Sequence, residues 1–369
     1  MTGWTQYHGG PQHPGHRRDL AGPQRVETNW TVDLSGAVGP PVLDRDTVFV
    51  GTDRGNMYAF DRETGRRRWT YETIAATDST PVVTRDQVVF TSGSDTLTAV
   101  DPARGDLEWE TSLPAPEVTT PTLDDGQLYV GHADGLSALE AETGDVRWTH
   151  ETDAPVVAAP VIADARVRDR EWEHSRVFAA LANETVVALE VESGEDIWTA
   201  PTDGVVTASP TVADGRVYVG DDDGTLLALD TNSGRTWFSY EIRDGFTSSA
   251  TVLPEEESTF IGAADGYLHV TDTTFGRRKL RGWLFAKKGV PLDGELHASP
   301  VVIGDVVCVG DTTGSLYGLD LTDDCSHLWH FGTDDSSAIT STPAVGDGQL
   351  FVGSDDGRLY CLTWTPPEQ

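Results

Sequence analysis

Residues able to hold a cation or pass a proton recur along this chain of 369 residues, but few have the spacing such chemistry needs. Asp221-Asp222-Asp223-Gly224 and Asp355-Asp356-Gly357 gather carboxylates beside a glycine. Neither has the alternating donors that let a calcium loop wrap one ion. They read as hairpin turns, where Asp-Gly supplies a positive φ. His8, His13 and His16 lie in a Gly/Pro-rich opening, which suits a plug or strap anchored by Trp4 and Tyr7 better than a designed metal site. Cys308, Cys325 and Cys361 form no disulfide framework. Cys308 and Cys361 stand at strand positions, as small buried hydrophobes. No Ser-His-Asp order, nucleotide loop or paired-carboxylate motif stands out, so no catalytic or metal-ligating set is assigned.

The elements that must position any site come from a repeat. Trp30, Trp69, Trp109, Trp148, Trp198, Trp237, Trp283 and Trp329 are separated by 39, 40, 39, 50, 39, 46 and 46 residues. Most close a phrase such as DRETGRRRW (61–69), DPARGDLEW (101–109), EAETGDVRW (140–148) or EVESGEDIW (190–198). A small or hydroxyl residue followed by proline opens nearly every copy, from Pro40-Pro41 through Thr80-Pro81, Thr120-Pro121, Ala159-Pro160, Ser209-Pro210 and Ser299-Pro300 to Thr342-Pro343. One further start, Ser249-Ala250 in the sixth copy, has lost the proline, which makes eight starts. Between these marks lie alternating apolar runs and Gly-containing turns, enough for four short antiparallel strands per copy. The sequence therefore predicts an all-β, eight-bladed propeller over residues 24–363, with a leader at 1–23 and a tail at 364–369. The orphan Val26–Trp30 should complete the last blade and close the ring. Small residues suit the crowded axis. Trp30, Trp69, Trp109, Trp148, Trp198, Trp237 and Trp329 are expected to cover the gaps between blades.

The strand-turn-strand phrases VFVGTDRGNMYAFDRETGRRRW (48–69), LYVGHADGLSALEAETGDVRW (128–148) and VYVGDDDGTLLALD (217–230) resemble the pyrroloquinoline-quinone-like (PQQ-like) propeller repeat. WD40 propellers are a poorer match, since no Trp-Asp dipeptide occurs. The resemblance implies one of two functions. Quinoprotein dehydrogenases of this type hold PQQ and calcium over the axis. Scaffolds similar to the outer-membrane assembly lipoprotein (BamB-like) bind protein partners. Quinoproteins are usually much longer and often carry adjacent cysteines. Here no two cysteines adjoin and no c-type haem motif occurs. The expectation is a non-catalytic, protein-binding scaffold with no cofactor; a PQQ- or small-ligand-binding propeller, such as a quinoprotein oxidoreductase, is the alternative.

Sixty acidic residues oppose 26 basic ones, giving a formal net charge of −34, and lysine occurs only at 279, 287 and 288. This balance resembles proteins of extreme halophiles and disfavours binding to nucleic-acid phosphates. The sequence has no apolar run of membrane-spanning length, which leads to the expectation of a cytoplasmic monomer, or an exported one if a leader has been removed.

Three regions are candidates for a site. Residues three ahead of each proline slot should ring the channel mouth: Val38, Asp78, Val118, Val157, Thr207, Thr247, His297 and Thr340. Asp78 and His297, with Glu117 and Glu295 close by in sequence, could hold a small polar ligand there. Blade six breaks the charge pattern with RRKLRGWLFAKK (277–288). Its Arg277, Arg278, Lys279, Arg281, Trp283, Lys287 and Lys288 form a basic, aromatic outer strand suited to an acidic partner or to strand addition. In this blade Leu280 takes the usual Trp place. Blade four is lengthened through 163–175, where Trp172 could anchor a partner.

Overall fold

The structure is a computed structural model that describes residues 3–77, 79–163, 175–280 and 288–365. Eight sheets follow one another around an axis, each with a core of consecutive antiparallel strands; the last adds Glu27–Asp33 and the seventh adds His16–Arg17 in parallel. Blade five shows the unit: Thr211–Ala213 is the inner strand, followed by Arg216–Gly220, Thr225–Asp230 and the outer Thr236–Glu241. The middle strands are buried except at their ends, while the outer strands alternate with solvent. Among the described residues the only helical turns are two short 3-10 segments.

The orphan strand closes the ring as expected. Glu27–Asp33 pairs antiparallel with Arg358–Thr363, and Trp30 faces Cys361 across the ladder. That is the register Trp69, Trp109, Trp148 and Trp198 hold opposite Ala59, Ala99, Ala138 and Ala188. The last blade therefore uses the same slot, filled from the other end of the chain.

The phrase ending in Trp has a mechanical explanation. The acidic residue opening the turn accepts backbone N–H groups two or three residues on, as Asp101 does from Ala103 and Arg104, and Asp230 from Asn232 and Ser233. The turn glycine takes a positive φ, and the Trp of the preceding blade lies against it. A Cβ placed on Gly65, Gly105, Gly144, Gly194 or Gly234 would come within 2.6–2.8 Å of that ring. The indole N–H then donates to a carbonyl of the same turn: Trp69 to Pro102 at 2.8 Å, Trp148 to Val191 at 3.0 Å and Trp198 to Thr231 at 3.0 Å.

Trp237 departs from its expected part. Phe238 stands opposite Ala228 in the slot and packs over Gly276, so Trp237 is one residue early and 51% exposed. Between blades six and seven both partners change: buried Leu280 replaces Trp, and Cys325, at φ +57°, replaces the turn glycine in the same apolar cluster.

Space is only part of the reason for hydroxyl residues near the axis. In four blades the N–H of the residue preceding the proline slot donates to the hydroxyl at that position in the next blade. The pairs are Thr80 to Thr120, Ala159 to Ser209, Ser249 to Ser299 and Ser299 to Thr342. Two residues further on, Thr122, Thr211 and Thr251 donate their hydroxyls to carbonyls of the following blade. These bonds satisfy inner-strand backbone groups where blades diverge too much for a continuous ladder.

The leader closes one end of the channel. Backbone N–H groups of Leu43, Val83, Ile162, Val212 and Val302 donate to the carbonyls of Trp4, Thr5, Pro11, Gln12 and Gly15. Leu123 N–H is taken by the Gln6 side chain. His16–Arg17 then runs parallel to the inner strand of blade seven.

Candidate binding funnel and docking rim

From the end opposite the leader, the axis opens as a funnel of about 650 Å³. Its mouth shares a face with the Asp-Gly turns, because those turns are tied by backbone bonds to the segments entering the inner strands, as Asp222 N–H is to Val205 O. Hydroxyl residues dominate the wall, including Ser79, Thr119, Thr207, Thr247 and Thr340. Tyr7 of the leader forms the floor, its hydroxyl 2.9 Å from Ser249 Oγ and 2.8 Å from Ser299 Oγ.

The expected ring at the mouth holds in most blades and slips by one residue in two. Val38 is buried against the neighbouring blade, its N–H on Ser354 O, so Gly39 takes the channel position in blade one. In blade three Thr119, whose N–H bonds to Gly131 O, occupies the place equivalent to Val157, Thr207 and Thr247. The connections entering these two blades are a residue shorter.

Glu117 lines the lip in a left-handed conformation, φ +62°. His297 also lines it, and its Nε2 lies 3.1 Å from Glu295 Oε2, both side chains being largely exposed. The structure thus joins Glu295 to His297. Asp78 lies outside the described residues. No cluster of three or more His, Cys, Asp or Glu able to hold a metal occurs among the described residues.

The Asp-Gly turns are structural. Asp221 is buried and accepts from Thr225 N–H and Gly204 N–H. Burial pushes its carboxyl above the usual range, against those bonds. Asp311 does the same work in blade seven, accepting from Thr313 and Ser315 N–H and from the Tyr317 hydroxyl.

Of the basic stretch, residues 277–280 and 288 are described. The described outer strand of blade six is only Val290–Pro291, and Arg278 joins the sheet at a single bridge to Thr271. Arg278 Nε donates to the Tyr240 hydroxyl at 3.2 Å, Lys279 bonds Glu256 O, and Lys288 Nζ sits 2.7 Å from Asp265. Burial pushes the Asp265 carboxyl up, but hydrogen bonds from His269 and Lys288 outweigh it and hold it at about 2. Arg281, Trp283, Lys287 and Trp172 lie outside the described residues.

Beside this stretch is a feature that counting tryptophans does not reveal. Displaced from the slot by Phe238, Trp237 donates its indole N–H to Thr274 O at 3.0 Å, and next to it Phe275 is 62% exposed. Each ring carries an arginine, Arg216 at 4.4 Å from the Trp237 centroid and Arg277 at 4.9 Å from that of Phe275. The sequence signal was available: Trp237 stands three residues after its turn glycine, where Trp148 and Trp198 stand four after theirs.

With this geometry in view, the comparisons are informative. The family model for the outer membrane protein assembly factor BamB matches residues 23–122, 72–159, 115–173 and 170–365. The chain belongs to the BamB-like family of PQQ-type propellers. BamB from Moraxella catarrhalis is 20% identical over 92% of this chain and 100% of its own, with a TM-score of 0.72. A europium-containing methanol dehydrogenase has a TM-score of 0.77 at 12% identity, covering 98% of both chains. The quinohemoprotein alcohol dehydrogenase from Comamonas testosteroni has 0.76 at 13%, covering 100% of this chain and 82% of its own. At such identities these likenesses establish the shared fold. No curated protein matches the sequence. No helix among the described residues is long and apolar enough to cross a membrane.

The funnel residues are a poor fit to PQQ with calcium. The quinone is a tricarboxylate and calls for cationic or N–H donors, whereas no Lys or Arg lines the funnel among the described residues. Calcium prefers several carboxylate or carbonyl oxygens, and the described wall offers one carboxylate, Glu117, at the lip.

Proposed function

We propose that this protein is a non-catalytic docking propeller whose blade-five and blade-six rim binds an acidic segment of a protein partner. The observation carrying this reading is the pair of exposed rings, Trp237 and Phe275, each under an arginine, on a chain of net charge −34. Exposed aromatics held rigid by cation–π contacts lose little entropy on binding, and Trp and Arg are the residue types that dominate interface energetics. Local positive charge on an anionic body steers an acidic partner to this place and repels it elsewhere. Membership of the BamB-like family supports a scaffold, and the mismatch between the funnel and a tricarboxylate argues against the quinoprotein alternative.

Two measurements test the reading. Proteins retained by the immobilised wild-type chain from its own cell extract should be lost when Trp237→Ala and Phe275→Ala are combined with Arg277→Glu; an unchanged set would refute the rim. Titration with PQQ and calcium, read by absorbance, should show no saturable binding. Saturation accompanied by dye-linked alcohol oxidation would establish the enzyme instead.

A further inference from the structure

The funnel has a chemical polarity of its own. Thr207 donates its hydroxyl proton to Phe246 O and Thr247 donates to Leu296 O, both at 2.5 Å, while Thr340 donates to Asp355 Oδ1 at 2.6 Å. With these protons committed to the protein, the oxygens can offer a ligand only lone pairs. The one lining carboxylate, Glu117, adds a further acceptor, and no lining Lys or Arg opposes it among the described residues. Asp53, Asp222 and Asp355 stand in the turns tied to the mouth. Such a walled, acceptor-rich cavity in an anionic body concentrates cations.

Glu117 stands at the lip with a φ of +62°, in the region that favours glycine. Tyr7 closes the funnel from the leader side, its hydroxyl held between Ser249 Oγ and Ser299 Oγ, so a ligand enters from the mouth and meets an oxygen at the base.

We propose that the funnel binds a slim organic cation, a primary ammonium or guanidinium group, with Glu117 at the lip and the oxygens of Thr207, Thr247 and Tyr7 below it. The cation can come from a free polyamine or from a Lys or Arg side chain of a partner protein. The site is separate from the blade-five rim and stands whether or not that rim docks a partner.

Calorimetric titration of the full chain with spermidine, and separately with a short arginine-bearing peptide, tests this at a salt concentration that leaves its circular dichroism unchanged. Saturable one-to-one binding of at least one ligand is expected; spermidine alone indicates a free polyamine, and the peptide alone a partner's side chain. Glu117→Gly removes the carboxylate at a position where glycine is conformationally preferred, so the fold should survive while affinity falls about tenfold, as for loss of a charge-assisted hydrogen bond. Glu192→Gln, in a turn on the opposite face, should leave affinity unchanged. Absence of saturable heat with both ligands would overturn the proposal. So would an equal loss in both variants, because that is how a diffuse counter-ion cloud behaves.

Discussion

The position four residues after the turn glycine decides how one blade meets the next. Where it is Trp, the ring covers the glycine of the neighbour and its N–H takes a turn carbonyl, as Trp198 does with Gly234 and Thr231. Trp198→Ala should therefore cost roughly 3–5 kcal/mol in urea unfolding. Trp237→Ala, at a ring 51% exposed, should cost less than about 1 kcal/mol. Equal losses would mean that Trp237 is a structural wedge after all. The slot tolerates more than one solution: Phe238 covers an unchanged Gly276, while between blades six and seven Leu280 and Cys325 replace both partners within one apolar cluster. The repeating Trp made the period legible, but counting Trp alone placed Trp237 in a slot that belongs to Phe238. Cys325 gave no hint of its part, because a cysteine holding a left-handed turn looks in sequence like any small apolar residue.

At the scale of elements, the leader joins six inner strands through their N–H groups and so supports an edge that eight sheets would otherwise leave unpaired. A plug carrying Trp4 and Tyr7 was legible in sequence. Its path was not, because most of its acceptors are backbone carbonyls, which leave no signature in residue type. Nor was the burial of two histidines. His8 and His13 are completely buried, and burial lowers their pKa to about 4 and about 3 despite carbonyls near their ring nitrogens. Both are neutral in the folded protein at neutral pH, whereas the unfolded chain protonates near 6.5. Their contribution is therefore complete above pH 6.5 and is progressively lost as the pH falls from there through about 4 for His8 and about 3 for His13. The melting temperature should fall across that window, and it should fall less steeply in a His8→Asn, His13→Asn variant, whose asparagines do not titrate. An identical slope in the variant would place the acid sensitivity in the carboxylates.

At the scale of the whole molecule, closure and charge pull against each other. Pairing Glu27–Asp33 with Arg358–Thr363 makes every blade depend on two neighbours, so the ring has no free end from which to unravel. Net charge of −34, spread over all blades, acts to expand it. Arginine offsets some of this locally: the Arg358 side chain lies within ion-pair distance of Asp33, Asp334, Asp335 and Asp356, joining the closing strand to the connection into blade eight. These pairs are at the surface and individually weak, and salt weakens them further. The same salt screens the far more numerous repulsions, because the Debye length shrinks to about 3 Å at molar ionic strength. With 60 acidic residues against 26 basic ones, repulsion is the larger of the two effects. The melting temperature should therefore rise from dilute buffer to molar KCl, by several degrees or more. An unchanged value would mean that closure alone sets stability. A decrease would mean that the arginine clusters, and Arg358 above all, contribute more than the repulsion they oppose; Arg358→Gln would then abolish the salt effect instead of enlarging it.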